Sequence, residues 1–173
     1  LSHNLKKWFL YEISARKETT NQYKSPLLFS VGTVFKPFNF YHIKVNGSRN
    51  FRIPSFNDLY WKGSGNPNLR PENSYQAEIT NEIFNKNISF RITGFTIKIK
   101  DLLRWKPNLS GVWSPENVEN VNTYGTEMVF NWNKKLKNHL FIFSTSYGFT
   151  KSINQKSEKE LIYVPNHKWV SNF

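Results

Sequence analysis

The residues able to do chemistry are few and scattered. Asp58 and Asp101 are the only aspartates, and neither has a histidine at a spacing that builds a nucleophile–base pair. His3, His42, His139 and His167 stand apart from one another, without metal-ligand spacing. With no cysteine, the chain has neither a cysteine-based zinc site nor a disulfide framework. Gly63-Ser64-Gly65 runs into Asn66-Pro67 and not into a helix start, so it is no phosphate-cradling loop. Nothing here supports an enzyme, a metal centre or a cofactor site. The chemistry left is that of binding.

Composition narrows what could be bound. The 173 residues carry 24 Lys and Arg against 12 Asp and Glu, a net charge of +12, and 17% are aromatic. A basic, aromatic-rich chain invites a nucleic-acid reading, which needs a basic stripe interleaved with stacking rings on one face. Here the aromatics mostly occupy the face opposite the charges, so nucleic acid is not the expected partner. No run of eighteen apolar residues exists, which removes a transmembrane helix but leaves a transmembrane barrel open. No signal-peptide pattern follows Leu1, and the chain is expected to be an internal piece of a longer protein. The sequons at Asn46, Asn87 and Asn108 are read as coincidence in an Asn-rich chain.

Eight segments alternate apolar and polar residues, as half-exposed β-strands do. In order they centre on Tyr11, Val31, Ile43, Ala77, Ile92, Phe130, Phe143 and the segment 161–173. At Gly94 the apolar phase shifts from even positions (Ile88, Phe90, Ile92) to odd ones (Phe95, Ile97, Ile99), which predicts a β-bulge. Connections run long, short, long, short. Lys36, Lys86, Lys135 and Lys137 are expected on the short turns, and loops 16–26, 50–73, 101–124 and 151–160 are the long ones. Two classes of connection with one apolar and one polar strand face are the pattern of an outer-membrane barrel, with short periplasmic turns and long extracellular loops. Trp8, Tyr11, Tyr41, Tyr75, Trp132, Tyr147 and Trp169 would supply its aromatic girdles.

The chain is organised around the stretch 50–82, NFRIPSFNDLYWKGSGNPNLRPENSYQAEITNE. Its prolines and glycines dictate a turn-rich loop, and from Ser74 alternation begins again. This stretch closely resembles the barrel region of TonB-dependent outer-membrane receptors. Three later stretches resemble the same family: FTIKIKDLLRW at 95–105, NVENVNTYGTE at 117–127 with Gly125 and Glu127 matching, and LIYVPNH at 161–167. They occur in the family's order.

The resemblance implies an all-β chain, a segment of about eight strands from a barrel of about twenty-two. Residues 1–173 would be part of the barrel domain, with the plug domain, the energy-coupling box and the remaining strands lying elsewhere. It further implies active uptake of a scarce nutrient, an iron–siderophore complex or cobalamin, with a TonB energy-coupling complex, outer-membrane lipid and lipopolysaccharide as partners. Tyr60, Trp61, Trp105 and Trp113, in the outer loops, become candidate ligand contacts. Arg52, Glu78 and Glu127 are expected to face the lumen or its rim, where charge can meet the plug or water. Two other readings keep the strands: a non-transporting adhesion barrel, and a soluble basic β-protein that binds polyanions.

Overall fold

The computed structural model describes residues 1–19, 23–118, 120–161 and 164–173. Residues 20–22 of the first long loop lie outside the described residues. So do Glu119 in the 117–127 stretch, and Ile162 and Tyr163 in the 161–167 stretch.

Alternation becomes strand wherever it is sustained. The elements in order are β1 (Ser2–Lys6), β2 (Phe9–Lys17), β3 (Leu27–Phe38), β4 (Tyr41–Arg52), α1 (Phe56–Tyr60), β5 (Glu72–Phe84), β6 (Ile88–Lys100), β7 (Leu102–Pro107), β8 (Trp113–Val118), β9 (Val121–Leu136), β10 (His139–Asn154) and β11 (His167–Asn172). Nine of these form one antiparallel sheet in the order β1-β2-β3-β4-β5-β6-β9-β10-β11, and β7 and β8 form a separate hairpin. The sheet is open, with β1 and β11 at its edges.

Directly paired residues share a face, so the registers sort the side chains. On one face, Tyr41, Ile43 and Val45 pair with Ile83, Asn81 and Ile79, and Phe90 and Ile92 pair with Phe130 and Met128. On the other, Lys44, Asn46 and Ser48 pair with Thr80, Glu78 and Gln76. The polar face is laced across strands: Ser14 with Ser30 (2.7 Å), Asn46 with Glu78 (2.8 Å), Thr80 with Thr93 (2.8 Å) and Thr123 with Ser152 (2.8 Å).

The apolar face is bare. Val45, Ile79, Ile83 and Phe141 are each close to half exposed. Among the described residues the buried apolar side chains are Leu28, Leu59, Leu69, Leu103, Val118 and Val121. None belongs to that face: Leu28 and Val121 lie on the polar face, and the other four lie in the loops and hairpin. A sheet whose polar side is cross-linked by hydrogen bonds, and whose apolar side holds none of the buried apolar side chains, is inverted relative to a soluble protein and suits hydrocarbon outside.

Several expectations need correction. Gly94 is no bulge: β6 runs in unbroken register against both neighbours, with Gly94 opposite Ile79 and Thr126. The phase shift instead carries Phe95, Ile97 and Ile99 onto the polar face near the long loops, where the few buried apolar side chains gather. The turns are tighter than expected, because β3 extends to Phe38 and β9 to Leu136. Lys36 and Lys135 therefore lie inside strands, just before the ends of β3 and β9, while Lys86 and Lys137 do lie in turns. Beyond the expected eight, β1 adds a strand, and the 101–124 loop folds as the β7–β8 hairpin.

Candidate ligand-facing loops and polar wall

The loop between β4 and β5 is built locally before it packs. Ser55 caps α1: its hydroxyl accepts from the Asp58 amide (3.2 Å), while the Ser55 amide donates to Asp58 Oδ2 (2.9 Å). That reciprocal pair satisfies two orphan donors of a short helix. The Gly65 amide then donates to the Trp61 carbonyl (2.7 Å) and the Asn66 amide to the Asp58 carbonyl (2.9 Å). A Cβ at residue 65 would come within 2.6 Å of the Trp61 nitrogen, so glycine is needed where the chain doubles back.

The β7–β8 hairpin is fastened onto this loop and onto the end of the polar face. Arg52 Nη2 donates to the Leu103 carbonyl (3.1 Å), and the Leu103 amide donates to Glu72 Oε2 (2.9 Å). Asn117 accepts from the Arg70 amide (2.8 Å) and donates to the carbonyls of Arg70 (2.8 Å) and Asp101 (2.9 Å). Arg70 pairs with Asp101 at 2.6 Å. Leu59, Leu69 and Leu103 make a small buried cluster between loop and hairpin. Because Arg52 and Glu72 belong to the polar face, the loops fold in over that side.

The four candidate aromatics are placed differently. Tyr60 and Trp61 are both 56% exposed, at the end of α1 and just beyond it. Trp113 is 48% exposed where β8 begins. Trp105 is half-buried, and its indole Nε1 donates to Asp58 Oδ1 at 2.8 Å. Trp105 and Trp113 share one face of the hairpin, through their pairings with Pro115 and Pro107. Burial pushes the Asp58 carboxyl up, but hydrogen bonds from the Ser55 amide and hydroxyl and from Trp105, with the charge of Arg52, hold it below the usual value.

Arg52, Glu78 and Glu127 all lie on the polar face. Arg52 is at its long-loop end and pairs with Glu72 (3.1 Å), Glu78 accepts from Asn46, and Glu127 is exposed in the middle of β9. Sequence reasoning missed Asn117, Glu72 and Glu82. The last receives Lys44 (2.7 Å) and Arg91 (2.7 Å) on the same wall. The Ser55-x-x-Asp58 spacing was a usable signal for α1, whereas no local pattern marks Asn117 as a fastening.

A family model for the β-barrel of TonB-dependent receptor-like proteins matches residues 6–173. The chain belongs to the TonB-dependent receptor β-barrel family. A vitamin B12 transporter, BtuB of Photobacterium profundum, is 30% identical over 156 residues, covering 88% of this chain and 25% of that protein. The BtuB of Vibrio vulnificus is 30% identical over 118 residues, covering 68% of this chain and 19% of its own length. The chain thus spans about a quarter or less of these relatives. Two solved structures share the fold. The copper transporter OprC superposes with a TM-score of 0.75 at 11% identity, covering 97% of this chain and 30% of its own. The siderophore receptor PirA from Pseudomonas aeruginosa gives 0.71 at 17%, covering 87% and 30%. In a family of receptors and transporters, the polar face becomes the inside of the barrel wall and the apolar face its outside.

Proposed function

We propose that this chain is the loop-bearing wall of a TonB-dependent receptor in the outer membrane of a Gram-negative bacterium, taking up a cobalamin-like nutrient. The observation that supports it best is the 30% identity to a vitamin B12 transporter across 88% of the chain. Tyr60, Trp61 and Trp113 are exposed on the long loops and offer flat apolar contact area for a large ligand, while Trp105 holds the hairpin that presents Trp113. An iron–siderophore complex is the competing ligand class, since the same rings would accept it.

On the lumen side, Arg52, Glu78 and Glu127 offer charge to a plug domain, and the TonB energy-coupling complex would act through that plug. Outer-membrane lipid and lipopolysaccharide would surround the apolar wall. The test is made on the whole receptor that carries this segment. Cells limited for cobalamin should lose uptake when the receptor is deleted or when TonB is removed, and Tyr60→Ala/Trp61→Ala should weaken cyanocobalamin binding. Saturable binding of ferric siderophore but not of cyanocobalamin would move the substrate to the other class. Surface attachment without TonB-dependent uptake would replace the transporter reading with adhesion.

A further inference from the structure

Every acidic residue of the nine-stranded sheet (Glu12, Glu72, Glu78, Glu82 and Glu127) lies on the polar face. Among the described residues the apolar face carries none, yet toward its long-loop end it carries a group of cations. Arg49, Tyr75, Lys98 and Asn122 are successive cross-strand neighbours in one row, and Asn73 pairs with Lys100 beside it. Together they line an open cleft of about 490 Å³.

The cations of this cleft are not neutralised by the fold. The Arg49 guanidinium lies over the Tyr75 ring at 5.2 Å, and its Nε is buried without a hydrogen-bond partner among the described residues. Lys98 and Lys100 are exposed and enter no ion pair among the described residues, unlike Lys151 on the same face, which pairs with Glu160 at 2.7 Å. Three uncompensated cations around one ring on an otherwise apolar wall call for an anion.

Height decides which anion. From Ile88 to Lys98, β6 climbs about 34 Å along its axis at strand rise. At the tilt of a membrane barrel this is roughly 26 Å of height, close to the apolar band of such barrels. Ile88, Phe90 and Ile92 occupy the lower part, so Lys98 reaches the level of lipid headgroups. We propose that Arg49, Lys98 and Lys100 form a binding site on the outward wall for a phosphorylated lipid headgroup of the outer leaflet. The site rests on the reading that the apolar face meets lipid. Arg supplies a planar fork for phosphate and Lys a point charge, while Val45, Ile79 and Ile92 below offer a surface for acyl chains. A nucleic acid would need several stacking rings, and this row has Tyr75 alone.

The test uses the whole receptor in neutral detergent, with bis-phosphorylated lipid A and its dephosphorylated form as probes and native mass spectrometry as the readout. The wild-type receptor should retain the phosphorylated form about tenfold more tightly. Lys98→Gln/Lys100→Gln should lose that preference, whereas Lys134→Gln, on the same face at the short-turn end, should keep it. Excess inorganic phosphate should leave the lipid bound. Equal retention of both lipids, an unchanged preference in the double variant, or displacement by inorganic phosphate alone overturns the site. A receptor that stays monodisperse without detergent overturns the lipid-facing reading itself. Detergent dependence without phosphate preference overturns only the site.

Discussion

Trp105 donates its indole hydrogen to Asp58 Oδ1 at 2.8 Å, joining the β7–β8 hairpin to a helix 47 residues earlier. The same carboxylate caps α1 through Oδ2, so one side chain orders the loop and holds the hairpin on it. Trp105→Phe keeps an aromatic ring and removes this bond together with the pyrrole half of the indole. A hydrogen bond to a charged acceptor contributes about 1.5–3 kcal/mol. Amides of residues 102–118 should therefore exchange roughly tenfold or more faster in the variant receptor, while those of β4 and β5 are unchanged. Unaltered hairpin protection would reduce Trp105 to a contact residue like its exposed neighbours.

The same pair sets a pH dependence. The Asp58 carboxyl is held below its ordinary value when folded, so its ionised form favours the docked loop. That contribution is complete above the unfolded value, about 3.9 for aspartate, and drains away as pH falls through the lower, folded value. Hairpin protection, corrected for intrinsic exchange, should be flat from neutral to mildly acidic pH and fall only below the ordinary aspartate range. Asp58→Asn should be less protected at neutral pH and lack this acid-dependent loss. A decline centred near pH 6 in the wild-type receptor would point to a histidine instead.

Glu82 is the junction of the polar wall, only 14% exposed and bonded to both Lys44 and Arg91. Removing it leaves two cations side by side with no acid between them. Glu82→Gln should lower receptor stability by about 1–2 kcal/mol, a modest figure because both cations remain partly solvated. Lys44→Gln should cost less, since Arg91 still serves the carboxylate. In the double variant the two losses should not add, and strict additivity in urea titrations would show that the pair is uncoupled.

Much of this architecture was legible because a barrel wall is written in period two. Tyr41, Ile43 and Val45 announce their face without help from anything distant, and the two lengths of connection follow from where alternation stops. The loops resisted reading for the opposite reason. Asn117, Arg70 and Asp101 meet across 16 to 47 residues, and no spacing rule links them. Gly94 misled because an apolar phase shift has two causes. A strand can slip by one residue, or it can leave hydrocarbon and turn its apolar residues toward packed loops. Phe95, Ile97 and Ile99 do the second, and only the register distinguishes them.

Two glycines on the polar face make a matched test of that register. A Cβ at Gly125 would collide with the Phe149 carbonyl oxygen and come within 2.7 Å of the Phe95 ring, whereas one at Gly148 meets nothing within 4 Å. Gly125→Ala must therefore shift a strand held on both sides, by β6 and by β10. Overpacking of this kind costs about 1–3 kcal/mol, and a similar loss is expected in urea titrations of the receptor. Gly148→Ala should be neutral or slightly stabilising, because it narrows the unfolded chain without a clash. Adding Phe95→Leu to Gly125→Ala should recover only part of the loss, since the Phe149 carbonyl stays in place. Equal effects at the two glycines would mean that neither the Phe149 carbonyl nor the Phe95 ring crowds residue 125, while a loss that Phe95→Leu leaves untouched would mean that Phe95 does not lie over Gly125.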